Sequence, residues 1–185
     1  MAFFWLTGLP GTGKTTVLSA VGSLGYSTFD SDQDGLTVWR NRTTWEVVTH
    51  VESTVHQATW LEDHVWAIEV DRVATLADEA KTRDIFVGGA VGNESAVWSL
   101  FDKHVCLVSD WPTLKYRLTS RTNNPYGKGR GQLEVIHGWW KSAEGRYRDY
   151  GATIVDATRP LDEVVEDVLT ATVGTARLGG PSRTS

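Results

Sequence analysis

With 185 residues, 41% hydrophobic and 22% charged, the chain has the size and balance of one soluble globular domain with a real core. Its net charge of −5 gives no support for a broad nucleic-acid-binding surface, no stretch is long enough to span a bilayer, and no basic-then-apolar leader opens the chain, so a cytoplasmic protein is expected. The single cysteine, Cys106, excludes an internal disulfide and lies in the apolar run Val105–Val108, where a buried thiol is expected rather than a nucleophile.

Ala2–Thr7 reads as a buried strand. It runs into Gly8-Leu9-Pro10-Gly11-Thr12-Gly13-Lys14-Thr15, which matches the phosphate-binding pattern G-x-x-x-x-G-K-[ST] at every fixed position. Val17, Leu18, Val21 and Leu24 then share one helical face, and Gly25 is a helix stop. A triphosphate must be wrapped by inward-pointing N–H groups, and glycines permit that backbone path. The helix start adds unsatisfied N–H groups and its positive dipole end. Lys14 reaches the β- and γ-phosphates as a point charge, and the Thr15 hydroxyl is placed to ligate Mg²⁺. Tyr26–Phe29 is a short second strand leading into Asp30-Ser31-Asp32. Carboxylates at that strand end, beside a phosphate loop, sit where open α/β sheets bind ligands. The alternative is a pair of turn or cap acids.

Residues 36–66 predict helical turns without clear boundaries. Trp39, Trp45, Trp60 and Trp66 lie here, with Arg40 and Arg42. The indoles either fill a small helical subdomain or wall an acceptor pocket. His50, His56 and His64 match no metal-binding spacing. Val73, Leu76, Ala77 and Ala80 mark a helix. Ile85–Val87 is a third strand, ending in Gly88-Gly89, with Gly92-Asn93-Glu94 beyond; the glycines predict close backbone approach. No Asp ends this strand, and Asp84 precedes it. Val105–Val108 is the fourth strand, with Ser109 or Asp110 capping a helix over about 111–120. The basic, glycine-rich stretch Thr122–Gly131 reads as a mobile loop. Leu133, Ile136, Trp140, Ala143 and Tyr147 mark an amphipathic helix, Thr153–Val155 a fifth strand, and Leu161–Leu169 a last helix. The tail, residues 173–185, has no core-forming pattern and is predicted to be disordered.

Strands alternating with helices predict an α/β fold with a parallel sheet covered on both faces. The chain resembles the P-loop small-molecule kinases of the shikimate kinase, adenylate kinase and gluconate kinase type, over about residues 2–171. The resemblance rests on Gly8–Thr15, Phe29-Asp30-Ser31-Asp32, the Gly88-Gly89 strand end, the cationic region after the fourth strand, and more weakly Asp156–Pro160. It implies one kinase domain over 1–172, a five-stranded sheet of order 2-3-1-4-5, an acceptor-binding insert at about 36–66 and a lid at about 121–132. It implies ATP and Mg²⁺ as cofactors, with the loop residues, Thr16, Arg159 and Pro160 on the nucleotide. Thr15 and Asp30 would serve the metal. Lys14, Asp32, Arg117 and Arg121 would carry catalysis, with Asp32 facing the acceptor. Two signatures are missing. Ser142–Tyr147 lacks the order of the shikimate kinase R-P-L-Y run, and Gly88–Gly92 lacks the arginine of the adenylate kinase D-G-F-P-R run, so neither shikimate nor AMP is assigned as acceptor. The expected function is ATP-dependent phosphoryl transfer to a small acceptor, a nucleoside or nucleoside monophosphate ahead of a non-nucleotide metabolite or antibiotic. A nucleotide-dependent ATPase or switch is the competing class; it lacks support from any strand-three acid or sensor region. Expected partners are a small molecule, without membrane, in a monomer or homodimer.

Overall fold

A computed structural model describes residues 1–49, 58–122 and 126–174. The central sheet is parallel and five-stranded. Its strands are β1 (Phe3–Thr7), β2 (Ser27–Asp30), β5 (Ile85–Gly88), β6 (Lys103–Val108) and β7 (Thr153–Asp156), in spatial order β2-β5-β1-β6-β7. Counted within that sheet, this is the expected order 2-3-1-4-5. The predicted strand at 153–155 and the phosphate loop after β1 fall where the sequence puts them.

Residues 36–66 differ from expectation. Among the described residues, helix is confined to one short element, α2 (Ala58–Asp63), and the stretch mainly contributes an antiparallel pair, β3 (Thr37–Asn41) and β4 (His64–Ile68), with Trp39 opposite Trp66 and Arg40 opposite Val65. The run Thr37-Val38-Trp39 is β-branched and aromatic, and those residue types favour a pleated, half-buried surface. Two of the four tryptophans, Trp39 and Trp66, therefore sit on a small β-ribbon, while Trp60 is on α2 and Trp45 lies outside the strands.

The remaining helices are α1 (Lys14–Ser23), α3 (Val70–Glu79), α4 (Trp111–Ser120), α5 (Arg130–Asp149) and α6 (Leu161–Thr172). Alternation along β1 sorts the core. Phe4 and Leu6 join Val17, Leu18 and Val21 of α1 and Val164, Val165 and Val168 of α6 on one face. Phe3 and Trp5 turn to the other, against Val73 and Leu76 of α3, with Phe3 stacked on Phe101 at a 4.2 Å ring separation. Cys106 on β6 faces Leu114 and Leu118 of α4 and Ile136 of α5. It pairs with Thr7 on one side and Ile154 on the other. Its thiol is buried, and that burial, with the Glu94 charge next in size, pushes its pKa up to about 12. Asp110 caps α4 as expected, accepting the Thr113 N–H at 2.7 Å, with Pro112 in the first turn. Asp84 binds the Ala2 N–H at 2.8 Å, at the sheet edge opposite the phosphate loop. Among the described residues no helix is long and apolar enough to cross a membrane.

Candidate active site

Every central strand is parallel, so all their C-terminal ends open on one edge, and a cleft of about 1320 Å³ lies there. The loop Gly8–Thr15 forms one end. Gly8 has φ +139°, and a Cβ on it would stand 2.4 Å from the Leu107 carbonyl; only glycine takes that path. Thr12 closes the turn with N–H and hydroxyl bonds to the Leu9 carbonyl, at 3.2 and 2.9 Å. Lys14 begins α1, and its Nζ donates to the Gly8 and Leu9 carbonyls at 2.8 and 3.1 Å. Burial lowers its pKa from the ordinary lysine value, against the opposing pull of Asp32, Cys106 and Asp30. A partly desolvated ammonium tied to carbonyls gains from meeting an anion. Leu9, Pro10, Gly11, Gly13, Thr15 and Thr16 also line the cleft.

Asp30 ends β2 and performs two tasks. Its Oδ1 accepts the N–H groups of Asp32 and Gln33, at 3.0 and 3.3 Å. Its Oδ2 accepts the Thr15 hydroxyl at 2.7 Å. One oxygen thus serves the turn, and the other meets the Thr15 hydroxyl. A hydroxyl and a carboxylate oxygen in contact form the hard oxygen donor set that suits Mg²⁺, so the residues present fit that ion. Asp32 points elsewhere. Its Oδ1 accepts the Trp66 indole N–H at 2.8 Å, so β4 fixes the side chain from across the cleft.

The aromatic insert divides. Trp39 and Trp66 line the cleft, with ring centroids 5.2 Å apart. Trp60 stacks on His64 at 3.7 Å and meets Trp39 edge-on. Trp45 lies on a separate small cavity with Arg40 and Glu69. Arg40 and Arg42 also part company. Arg40 is bound to Glu69 at 2.9 Å and to the Trp45 carbonyl at 2.7 Å, away from the cleft. Arg42 lines the cleft, its Nε anchored to the Leu61 and His64 carbonyls. Strand alternation puts neighbours on opposite faces, which separates Trp39 from Arg40. His50 and His56 lie outside the described residues, as do residues 175–185 of the tail.

The cationic side is partly committed to backbone. Arg117 on α4 donates to the Thr12 carbonyl at 3.4 Å and the Ala157 carbonyl at 2.8 Å, tying the phosphate loop to the loop after β7. Arg121 lines the cleft and donates to the Tyr126 carbonyl at 2.6 Å, while its buried Nε has no partner. Arg159 borders the cleft and pairs with Glu163 and Asp167 of α6. Pro160 precedes α6 and is not on the cleft wall. Asp156 shapes this loop by accepting from Thr158 N–H and hydroxyl, at 2.9 and 2.7 Å. Of the expected lid, residues 123–125 and the Arg130 side chain lie outside the described residues. Within it, Gln132 Oε1 accepts the Gly127 N–H at 2.8 Å.

Sequence reasoning passed over the far wall of the cleft. Glu94 lies just past β5, Trp139, Arg146 and Tyr147 come from α5, and Tyr150 follows it directly. Glu94 Oε1 accepts the Trp5 indole N–H, and Oε2 accepts the Tyr147 hydroxyl at 2.8 Å. Thr7 donates to the same hydroxyl at 3.2 Å. Burial, then the Glu94 charge, raises the Tyr147 pKa well above its ordinary value, which keeps it a donor. The signals were Gly92-Asn93-Glu94, read only as close approach, and Tyr147, read only as core. Close approach does occur there: a Cβ on Gly88 would meet Leu18 at 2.5 Å, and one on Gly89 would meet the Ser31 hydroxyl at 2.3 Å.

No protein-family profile matches the chain, and no curated relative matches it. Its fold does match solved structures. A shikimate kinase from Acinetobacter baumannii in complex with shikimate has a TM-score of 0.62 at 16% identity, over 96% of both chains. A sugar kinase from Janibacter sp. HTCC2649 has 0.54 at 14% identity, over 95% of this chain and 96% of that one. A gluconokinase from Sinorhizobium meliloti 1021 has 0.51 at 19% identity, over 96% and 93%. With the phosphate loop, the sheet order and the cleft in these positions, the chain has the fold of the P-loop small-molecule kinases.

Proposed function

We propose that the protein transfers the γ-phosphoryl group of ATP to a hydroxyl of a small molecule. One observation carries this reading. The Thr15–Asp30 contact, on the phosphate loop, and the Asp32–Trp66 contact, on the β-ribbon, border the same cleft. In this reading the loop N–H groups and Lys14 hold the β- and γ-phosphates. Thr15 and Asp30 would hold Mg²⁺, which would supply charge neutralisation to the phosphates. Asp32 orients the acceptor hydroxyl and takes its proton as the oxygen bonds to phosphorus; the bond to the β–γ bridging oxygen breaks, and ADP leaves with that electron pair. Arg121, with a donor to spare, gathers on the transferring group. Arg117 acts as a clasp between the two nucleotide-side loops. The likeness to shikimate kinase, gluconokinase and sugar kinase structures supports the same class.

A nucleoside or nucleoside monophosphate is the acceptor the two cleft-facing indoles support, since aromatic faces suit a planar base at about 1–3 kcal/mol per stack. Only Arg42 of the arginine pair faces the cleft, which leaves weaker support for a phosphate on that acceptor. A hydroxylated metabolite is the second reading, favoured by the carboxylates and half-free arginines on the wall. A label-transfer screen with γ-labelled ATP tests both, using nucleosides, nucleoside monophosphates, sugars, sugar acids, shikimate, and aminoglycoside- and phenicol-like compounds. Product with any acceptor is expected. Binding of MgATP with no transfer to any of them would favour an ATPase or switch.

A further inference from the structure

The far wall of the cleft is assembled from parts remote in sequence, yet its pieces are bonded into one frame. The Gly92 N–H donates to the Trp66 carbonyl at 2.8 Å. Asn93 grips Ile68 twice, accepting its N–H at 2.8 Å and donating to its carbonyl at 2.9 Å. The loop after β5 is thereby stitched along β4. Glu94 follows at once and is held from two further sides, by Trp5 of β1 and Tyr147 of α5. Asp32 hangs on Trp66, the residue whose carbonyl takes the Gly92 N–H. Two carboxylates, one on each side of the loop Gly89–Gly92, are thus fixed relative to each other through β4.

Glu94 has no arginine or lysine within ion-pair distance among the described residues. Each of its oxygens accepts one protein donor, and a carboxylate oxygen has room for another. Half-buried, it lines the cleft, so the remaining acceptor sites meet whatever enters. A structural strut between β1 and α5 would account for both bonds but would need no place on the cleft wall, and Glu94 lines it. A carboxylate with both oxygens pre-set by neutral donors is built to receive hydroxyls from a ligand.

Resting on the phosphoryl-transfer reading, we infer that Glu94 is a specificity-determining residue that accepts a second hydroxyl of the acceptor, so that the substrate is a polyhydroxylated ring. Asp32 takes the reacting hydroxyl and Glu94 a neighbouring one. Trp5 and Tyr147 are positioning residues, acting on the acceptor through Glu94. The indoles Trp39 and Trp66 offer flat faces for the ring itself. This class includes both a ribose and a cyclic polyol, and excludes acceptors bearing one isolated hydroxyl.

The test compares wild type, Glu94→Gln and Tyr147→Phe in label transfer from γ-labelled ATP. The probes are adenosine, 2′-deoxyadenosine, D-ribose, shikimate and myo-inositol, with cyclohexanol as the single-hydroxyl control. MgATP binding is followed separately by calorimetry. Transfer to at least one polyhydroxylated probe and none to cyclohexanol is expected. For that probe Glu94→Gln should raise the acceptor KM at least tenfold, and Tyr147→Phe a few-fold, with the MgATP Kd within twofold of wild type in both. A strut would shift the melting temperature without separating the two substrates. An unchanged acceptor KM in a folded Glu94→Gln protein overturns the inference, as does transfer to cyclohexanol as efficient as to the polyols. Wild type that binds MgATP but labels none of the polyhydroxylated probes also overturns it, whereas wild type that fails to bind MgATP overturns the kinase reading beneath it.

Discussion

The two ends of the cleft are built on different principles. The phosphate end is local: Gly8 through Thr16 are consecutive, and their geometry follows from three glycines and a helix start. The end proposed for the acceptor is composite. Asp32, Trp39, Trp66, Glu94 and Tyr147 come from five separate segments and meet only because the sheet and ribbon bring them there. A local site tolerates change elsewhere in the chain, while a composite one depends on contacts that hold its pieces in register.

Substitution should expose that difference, most strongly at the local end. Lys14→Ala is expected to lower turnover by at least about 10²–10³-fold, the scale for losing one preorganised donor at developing charge, and to weaken MgATP binding. Its Nζ meets only the carbonyls of its own loop, so thermal denaturation should show a folded protein. A Lys14→Ala enzyme with wild-type label transfer would remove the basis of the phosphate reading.

The carboxylates should come apart next. Asp32→Asn is expected to cut kcat by about 10²-fold, the lower range for a lost general base, with MgATP affinity retained. Asp30→Asn should shift the Mg²⁺ requirement upward with little change in stability, because the amide Oδ1 still accepts the turn N–H groups of Asp32 and Gln33. Magnesium titrations and denaturant melts on both variants check this. Identical loss of ATP affinity in both, without a metal effect, would refute the division of labour.

A smaller effect concerns protons. Burial holds the Lys14 pKa below its ordinary value in the folded protein. Between that lowered value and the usual lysine range, the unfolded chain binds more protons than the folded one, so stability should rise with pH across that window. Bound phosphates favour the ammonium, so MgATP binding there should take up protons. Calorimetry across that window in two buffers of different ionisation enthalpy measures the uptake, and none in wild type would contradict it; Lys14→Ala should abolish it.

The smallest effects fall on the ribbon. Trp66→Phe keeps a ring but drops the N–H to Asp32; a loss near 1 kcal/mol, about fivefold in acceptor kcat/KM, is expected. Arg40→Ala should leave kinetics alone and cost about 0.5–1 kcal/mol through Glu69. If Arg40→Ala harms acceptor use while Arg42→Ala does not, the assignment of ribbon faces is inverted.

The same contrast accounts for what the sequence made legible. The five central strands were readable because buried parallel strands are continuous apolar runs, as Ile85–Val87 and Val105–Val108 are. The phosphate loop was readable because its chemistry is carried by consecutive residues. The ribbon was not, since its tryptophans fit a helix and a strand equally and its partner strand lies some 25 residues away along the chain. Glu94 escaped notice because a lone carboxylate after a glycine has no local signature. Its meaning comes from Trp5 and Tyr147, 89 residues before and 53 after.

Cys106 gives this molecule a clock of its own. It is the chain's single thiol, is 1% exposed on an interior strand, and is protonated at any ordinary pH. A thiol reagent needs both access and thiolate, so it meets this sulfur when α4 and α5 lift from the face of β6. The labelling rate therefore counts openings of that helical layer. Because Arg117 of α4 is bonded to the phosphate loop at Thr12, slower labelling with nucleotide would report how far occupancy of the loop holds that layer closed, with no label added by design.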